Sequence, residues 1–434
     1  MCWKDVRIDD LEAEVVRLRE ENAELKRRLA LDSANSSKPP SSDGLKKAVR
    51  RARSLREVSG KASGGQAGHK GETLKQVAHP DAVERHDVKE CAGCGADLSR
   101  VTAEVVTRQV FDIPAPRVIV TEHRAEVKRC TCGRINRGVF PSEATSQACY
   151  GTQVRALASY LSVWQLIPED RLSELFSDVL GLPITPATIA TINRENAAIL
   201  GPHQEQVLAT LKEAKVKHLD ESGLRVTGKT RWLHVISNDQ QTHYRVREKR
   251  GDLLEGLKNI LVHDHWKPYF TIEGVEHAMC NAHHLRELKA LAEIEKESWA
   301  SRMTALLLGA LKSPDPPVAR ILALYDRIIA KGLAFHEAQP PLSSRKNKRR
   351  TGHNLLLRLQ KHKEDTLRFL TDPDVPFTNN QAERDVRMVK VKQKISGSFR
   401  SGHGAHSFCT LRGFLSTHKK QGHRPLTAIA HAIA

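Results

Sequence analysis

The chain has 434 residues, and its 69 Lys and Arg against 51 Asp and Glu give a formal charge of +18. The length suits two or three domains, and the clustered positive charge predicts a nucleic-acid partner, although some proteins are basic without one. No apolar run is long enough to cross a bilayer, and the N-terminus lacks the apolar core of a signal peptide. We therefore expect a cytosolic protein with reduced cysteines and no membrane association.

Residues 1–33 carry a heptad repeat of apolar residues. Its two core positions hold Ile8, Val15, Asn22 and Leu29, and Leu11, Leu18 and Leu25. β-Branched residues at the first position with Leu at the second favour a parallel two-stranded coil, in which a buried Asn22 would fix the register. The alternative is one amphipathic helix packed on its own protein. We predict a coiled coil that joins the chain into a homodimer or a higher oligomer.

Residues 34–80 have the composition of a cationic linker. Ser, Pro and Gly open and close the segment, and nine Lys or Arg stand against two acids between Lys38 and Lys70. This composition predicts a flexible connector along which DNA could lie, with Lys70 as one contact. A plain solvated linker is the alternative.

Two cysteine pairs mark a small module over residues 81–145. Cys91 and Cys94 have the spacing of a zinc knuckle, and Cys130 and Cys132 follow two β-like runs, VVTRQVFDI and RVIVTEHRAEV. A hairpin of these runs would bring four thiolates together as a tetrahedral, structural Zn²⁺ site. A redox pair is the competing interpretation.

Residues 146–210 are predicted to be helical. The stretch LSELFSDVLGLPITPATIATINREN indicates helix, turn, helix, with Thr185 as the N-cap and Pro186 at the first helical position. The pattern is similar to a helix-turn-helix whose second helix would present Arg194 to a DNA groove. An ordinary helical hairpin is the alternative.

Residues 211–400 begin with a change to strands. KVKHLDESGLRV, TRWLHVISN and THYRVREKR predict an antiparallel meander, GDLLEGLKNI a short helix, and LVHDHW a fourth strand. This is the opening topology of the ribonuclease H-like fold. Asp220 lies near the end of the first strand and Asp264 in the fourth, so the two would meet at one sheet edge if these strands are parallel neighbours. Glu221 should point to the opposite face from Asp220.

The stretch FTNNQAERDVR supplies a third carboxylate, Glu383. Thr378 and Gln381 form a capping box, which predicts the start of a helix. That helix, laid on the sheet, could bring Glu383 to Asp220 and Asp264. Three carboxylates suit Mg²⁺ or Mn²⁺, and two such ions about 4 Å apart would serve phosphodiester chemistry. Taken singly, each acid is more simply a turn former or an ion-pair partner.

The remaining predictions concern DNA contacts and the later helices. The residues expected to contact DNA are Lys70, Arg194, Asn380, Arg384, Arg387, Lys390, Lys394 and Arg400. Residues from about 290 to 375 are predicted as a helical insertion with a basic loop, Arg345–Arg350. Residues 401–434 are predicted as a C-terminal segment with two short helices.

Several stretches are specific enough to indicate a family. They are NSSKPPSSDG, GGQAGHKGETL, the four-cysteine unit, HLDESG, HDHW, CNAHHLREL and NNQAERDVRMVKVKQKISGSFRS. Along almost its whole length the chain resembles bacterial DDE transposases of the insertion-sequence-66 family. The resemblance implies a multidomain α/β protein with a coiled coil, a zinc-binding module, a ribonuclease H-like catalytic domain and a short C-terminal segment. It assigns the three catalytic acids to Asp220, Asp264 and Glu383.

The resemblance also implies an activity and a cellular setting. It implies cleavage of DNA at the terminal inverted repeats of an element and transfer of the 3′-hydroxyl into target DNA, in the bacterial cytoplasm and at the nucleoid. Small accessory proteins of the same element often accompany such enzymes. The alternatives are a DNA-binding regulator that has lost catalysis and a nuclease without strand transfer.

Two stretches depart from the family pattern. HDHWKPYF is bulkier around Asp264 than the family's usual version. CNAHHLREL has Cys280, His283 and His284 where many relatives have aromatic and basic residues. We interpret these three residues as supporting the active site or contacting DNA.

Overall fold

The computed structural model describes residues 3–31, 35, 73–114, 116–340, 342 and 349–434. One compact unit contains the N-terminal helix and Ile119–Ala434, and a second lies within Arg53–Val118. Most of the predicted linker, with Lys70, and most of the predicted basic loop lie outside the described residues. Within the described residues, we find no helix with the length and apolar character needed to span a membrane.

The heptad region forms a single helix, α1 (Trp3–Ala30). Three predicted core residues, Leu11, Leu18 and Leu25, are 58%, 50% and 51% exposed in the single chain. The helix itself is therefore confirmed. Its pairing with a second helix stays a prediction.

The hairpin predicted from VVTRQVFDI and RVIVTEHRAEV is wrong. The strands found here are short and bracket the second cysteine pair: β1 (Val127–Arg129) pairs antiparallel with β2 (Ile135–Arg137). Val110 and Val120, in the two predicted runs, are 92% and 88% exposed. Alternating valines do not make a stable hairpin unless one face is buried.

A five-stranded mixed sheet lies at the centre of the larger unit. Its strands are β3 (Val216–Val226), β4 (Lys229–Ser237), β5 (Thr242–Arg247), β6 (Asn259–His263) and β7 (Val275–Met279), in the order β5-β4-β3-β6-β7. β3, β4 and β5 are antiparallel neighbours, whereas β6 runs parallel to β3 and β7 parallel to β6. The predicted meander and fourth strand are confirmed.

The short helix predicted from GDLLEGLKNI is wrong. Residues 251–258 form an irregular loop that places Leu254 and Leu257 against the sheet. Gly256 has a φ of +69°, which interrupts any helix. The apolar spacing there reflects a loop with two buried side chains.

Twelve α-helices are described. After α1 they are α2 (Thr152–Ser159), α3 (Glu169–Leu180), α4 (Pro186–Glu213), α5 (Asn281–Ala290), α6 (Ser298–Lys312), α7 (Val318–Glu337), α8 (Thr351–Lys361), α9 (Lys363–Leu367), α10 (Asn380–Ser396), α11 (Gly402–Lys420) and α12 (Pro425–Ala432). Thr185 is the N-cap of α4, as predicted, and its hydroxyl accepts from the Thr188 amide. The tail differs from the prediction, because α11 is a long helix rather than a short one.

Two of the hydrophobic clusters among the described residues position most of these helices. One joins α2, α4, α10, α11 and α12 to β3, β4 and β5, with Leu411 and Leu415 of α11 fully buried in it. The other lies among α5 to α8 and contains Met303, Tyr325 and Leu356. Helices α6, α7 and α8, which fall in the predicted insertion, thus pack in a core separate from that of the central sheet.

Candidate active site

Asp220 lies within β3 and Asp264 directly after its parallel neighbour β6. β3 pairs with β6 from Val216 to His218, so Asp220 stands just beyond the paired segment. Asp264 follows the last residue of β6 directly. Both side chains are half-buried. The parallel pairing therefore places both acids just beyond the carboxyl end of the paired segment. The sequence predicts Asp220 near the end of its strand, whereas β3 continues to Val226 along β4.

Glu221 points away from this edge and has a structural partner. Its side chain is 1% exposed and accepts two hydrogen bonds from Arg250, at 2.9 and 2.5 Å. The hydroxyl of Tyr269 also donates to it. The Arg250 guanidinium lies 4.3 Å from the ring centroid of Trp266. Alternation along β3 thus leaves Asp220 facing the site.

Glu383 lies in the first turn of α10, which a buried asparagine ties to the sheet. The Asn379 side chain donates to the Leu219 carbonyl at 2.7 Å and bonds to Nδ1 of His218 at 2.8 Å. The capping box predicted at Thr378 is wrong, because α10 begins one residue later, with Asn379 at the N-cap position. The asparagine amide is engaged with the sheet and makes no side-chain cap.

The three acids lie near enough to interact electrostatically, but their carboxylate oxygens do not all lie within 4.8 Å of one another. Burial and the negative charges of Glu221, Asp264 and Glu383 hold the pKa of Asp220 well above its usual range. Burial also raises the pKa of Asp264, against the opposing effects of the Trp266 amide and the Arg250 charge. Such a cluster is stable with all acids ionised only when cations compensate the charge.

The first cysteine pair lies on a tight turn. The Cys91 amide donates to the Ala96 carbonyl at 2.9 Å, and the Gly95 amide donates to the Cys91 carbonyl at 2.8 Å. Gly95 has a φ of +73°, which glycine adopts without strain. Amide groups of Gly93 and Cys94 lower the pKa of the Cys91 thiol. The turn therefore favours a thiolate at Cys91.

The second cysteine pair lies on a similar turn between β1 and β2. The Cys130 amide donates to the Arg134 carbonyl at 2.8 Å, and the Gly133 amide donates to the Cys130 carbonyl at 2.9 Å. The Cys132 amide is the main cause of a lowered pKa at Cys130. Amide donors aimed at sulfur are typical of zinc knuckles, since zinc binds the thiolate.

The sequence of this chain matches the models of known protein families over most of its length. Residues 147–407, more than half of the chain and including all three acids, match the profile described as "Transposase IS66 family". The chain belongs to this family. Residues 89–133 of this IS66-family chain match the zinc-finger binding domain of transposase IS66, and residues 3–75 match a family of unknown function, DUF6444.

A curated relative matches a smaller part. It is the uncharacterized protein y4jO of Sinorhizobium fredii (strain NBRC 101917 / NGR234), which is 39% identical over 77 residues. The match covers 17% of this chain and 24% of the relative. The IS66-family chain thus spans about a quarter of the length of the relative it matches.

The predicted DNA contacts are mostly exposed side chains. On the surface are Arg194 on α4, Asn380, Arg384, Arg387, Lys390 and Lys394 on α10, and Arg400 after it. Lys390 reaches back to the sheet, where its ammonium donates to the Gly223 carbonyl at 2.7 Å. Burial lowers the pKa of Lys390 and the charge of Asp220 raises it, which is consistent with a position near Asp220 on β3.

Glu383 also belongs to a second cluster, which it forms with Cys280 and His283. Sγ of Cys280 lies 3.9 Å from Oε1 of Glu383, and Nδ1 of His283 lies 3.8 Å from the same oxygen. Burial raises the pKa of Cys280 to about 12. The Cys-x-x-His spacing is visible in the sequence, but its link to an acid one hundred residues later is not.

His284 has a different environment from His283. It is 1% exposed, its Nδ1 lies 3.1 Å from Oδ1 of Asn281, and its ring lies 5.2 Å from that of His265. Burial lowers the pKa of His284 to about 3, so the ring is neutral. Of the two histidines predicted to support the active site or contact DNA, His283 therefore lies beside Glu383, whereas His284 is buried in the interior.

Proposed function

We propose that the protein is a DDE transposase. It would cut DNA at the terminal inverted repeats of an insertion sequence and transfer the 3′-hydroxyl to target DNA, with Asp220, Asp264 and Glu383 as the catalytic acids. The observation that carries the proposal is the parallel pairing of β3 with β6, which places Asp220 just beyond the paired segment and Asp264 directly after β6. Asn379 ties the start of α10, which carries Glu383, to β3. The negative charges of Asp264 and Glu383 also raise the pKa of Asp220, which supports a shared site.

We propose that the domain has the ribonuclease H-like fold, with boundaries at residues 211–400. Three antiparallel strands followed by two parallel ones, in the order β5-β4-β3-β6-β7, support this assignment. The separate core of α5 to α8 supports a helical insertion between the second acid and the third. The other domain boundaries given above are part of the same proposal.

The donor atoms around Asp220 fit a hard divalent cation. Carboxylate oxygens are the ligands that Mg²⁺ and Mn²⁺ prefer, and mutual repulsion gives the site a need for positive charge. We propose that Asp220, Asp264 and Glu383 hold two such ions. When bound, they would supply activation of the attacking water or hydroxyl and stabilisation of the leaving oxygen.

The chain itself supplies positioning. Arg250 holds Glu221 on the buried face of β3 and so directs Asp220 toward the site. Asn379 fixes the start of α10 against β3, which sets the position of Glu383 one turn later. Positioning of this kind contributes strongly to catalysis, because a displacement of about 1 Å can reduce a rate by about 100-fold.

The exposed cations would hold the DNA backbone. We propose phosphate contacts from the exposed Arg194, Arg384, Arg387, Lys390, Lys394 and Arg400. We add Lys70, which lies outside the described residues, and the neutral side-chain amide of Asn380. Each cation that neutralises a phosphate should add about 0.9 to the magnitude of the slope of log affinity against log salt.

Zinc and dimerisation complete the proposal. We propose that Cys91, Cys94, Cys130 and Cys132 bind one structural Zn²⁺, which the zinc-finger match over residues 89–133 supports.

We also propose that the exposed leucines of α1 pair with α1 of a second copy. Exposed apolar seams of this type are usually covered by a partner helix.

The test is cleavage of a labelled DNA duplex that carries an element end. We expect Mg²⁺-dependent nicking by the native chain and by Glu174→Ala, a control at an exposed acid on α3, and none by Asp220→Ala or Glu383→Ala. Tight binding without nicking in any divalent metal would indicate a regulator. Nicking without strand joining would indicate a nuclease, and nicking by Asp220→Ala would refute the proposed site.

A further inference from the structure

Three residues from two helices converge beside the catalytic acids. Cys280 immediately precedes α5, His283 lies in its first turn, and Glu383 lies in the first turn of α10. One sulfur, one ring nitrogen and one carboxylate oxygen from these residues all lie within 4.8 Å of one another. Among the described residues, this cluster combines a thiol, an imidazole and a carboxylate, which are three different kinds of metal ligand.

The separations are close to those of a tetrahedral zinc site. Zinc bonds of about 2.3 Å to sulfur and about 2.0–2.2 Å to nitrogen and oxygen place neighbouring ligand atoms roughly 3.4–3.6 Å apart. The observed separations from Oε1 of Glu383 are 3.9 Å to sulfur and 3.8 Å to nitrogen. The sulfur and the nitrogen lie within 4.8 Å of each other, so zinc binding would draw the three atoms together by up to about 1 Å.

The surroundings also leave these atoms available. Nδ1 of His283 is buried and has no hydrogen-bond partner within the described chain. The backbone amide of Asn379 donates to Sγ of Cys280 at 3.1 Å, as outer donors to metal-binding sulfur do. Arg286 approaches the other carboxylate oxygen of Glu383, Oε2, at 4.0 Å, so Oε1 remains free to bind a metal.

We propose that Cys280, His283 and Glu383 form a second metal site, selective for a thiophilic ion such as Zn²⁺. Thiolate and imidazole ligands favour Zn²⁺ strongly over Mg²⁺. Binding would release the thiol proton to solvent and leave one coordination position open. One consequence rests on the proposed function: Zn²⁺ at this site takes up Glu383 and so inhibits the Mg²⁺-dependent reaction.

The first test counts metal in the full-length chain. Protein equilibrated with buffered Zn²⁺ is analysed by mass spectrometry for zinc per chain, in the native form and as Cys280→Ala and His283→Ala. Cys409→Ala is the matched control, since Cys409 is equally buried on α11 and outside the cluster. We expect one zinc fewer per chain in the first two variants than in the native chain and the control.

Spectroscopy with Co²⁺ covers the case in which Cys280→Ala fails to fold. The difference spectrum between the native chain and His283→Ala should contain a thiolate charge-transfer band and tetrahedral ligand-field bands. Equal zinc content in all four proteins, or a difference spectrum without these bands, would overturn the site.

A kinetic measurement tests the inhibition separately. Zn²⁺ should inhibit nicking in Mg²⁺ at least ~10-fold less strongly in His283→Ala than in Cys409→Ala, because a lost ligand weakens metal binding by at least this much. Equal inhibition would overturn the competition between the ions. A native chain that nicks no DNA would contradict the proposed transposase, while the zinc count alone would still decide the site.

Discussion

Replacement of Asn379 by alanine tests the link between the sheet and the helix that carries Glu383. The Asn379 side chain is 1% exposed and makes hydrogen bonds of 2.7 Å to the Leu219 carbonyl and 2.8 Å to Nδ1 of His218. Since its Nδ2 donates to the carbonyl, its Oδ1 must accept from His218. Alanine removes both bonds and leaves a donor and an acceptor without partners in the interior.

The expected cost follows from those two orphaned groups. A buried polar group that loses its partner costs about 1–3 kcal/mol, so the loss of two partners in Asn379→Ala should lower the free energy of unfolding by about 2–6 kcal/mol. The neighbouring Asn380 is exposed, and Asn380→Ala should change stability by less than ~0.5 kcal/mol. The two variants differ in position by one residue and are otherwise the same chemical change.

Urea denaturation of both variants, followed by circular dichroism, gives the comparison. We expect Asn379→Ala also to reduce nicking at least ~10-fold under conditions where it is fully folded, because Glu383 loses its anchor. Equal stability of Asn379→Ala and Asn380→Ala would refute the argument. Full nicking activity in folded Asn379→Ala would show that Glu383 is positioned by other contacts.

Three further predictions concern stability. Arg250→Lys should lower the free energy of unfolding by roughly 3 kcal/mol, because the buried carboxylate that it binds loses its two-bond partner. Burial holds the pKa of His243 at about 4, below its unfolded value of about 6.5. The stabilisation of the folded state by the neutral His243 ring is therefore complete above pH 6.5 and is lost as the pH falls toward 4. At pH 5 the loss in the free energy of unfolding should be about 2 kcal/mol, and His243→Asn should not show it. Gly332→Ala places a methyl group 2.7 Å from Leu356 and should cost about 1–3 kcal/mol, whereas Gly309→Ala, with open space around it, should stabilise by up to ~1 kcal/mol.

Urea denaturation measures all three effects. Native stability for Arg250→Lys would contradict a structural role for the ion pair with Glu221. For His243, the comparison is the difference between pH 7.5 and pH 5 in the native chain and in His243→Asn, and identical differences would contradict the buried, neutral ring. If Gly332→Ala were as stable as Gly309→Ala, the close approach of α7 and α8 would not constrain this position.

The sequence predicts local structure well where alternation and caps are strong. The strands around Asp220 and the cap at Thr185 are in the predicted places, since period-two burial and a Thr-Pro start each have one dominant structural solution. The difference between Asp220 and Glu221 follows from the same alternation. These features depend on neighbours within a few residues.

The wrong and missing predictions arise where contacts between residues distant in sequence override the local preference for secondary structure. Asn379 takes the N-cap position because it bonds to β3, which a local capping box at Thr378 cannot reveal. β7, from Val275 to Met279, is short and gains its stability from β6, so no local pattern indicates it. The meeting of Cys280 with Glu383 likewise depends on how α5 and α10 are placed by the sheet.

The most direct test of a shared catalytic site is the single-turnover nicking rate of Asp264→Ala on a DNA duplex with an element end, in saturating Mg²⁺. Of the three acids, Asp264 has the most unusual sequence context, and it is contributed by a strand end rather than by a regular element. We predict a rate at least ~100-fold below that of the native chain, with DNA affinity unchanged within a few-fold, since a lost metal ligand removes several kcal/mol of transition-state stabilisation. A native nicking rate in Asp264→Ala would contradict a site built from Asp220, Asp264 and Glu383.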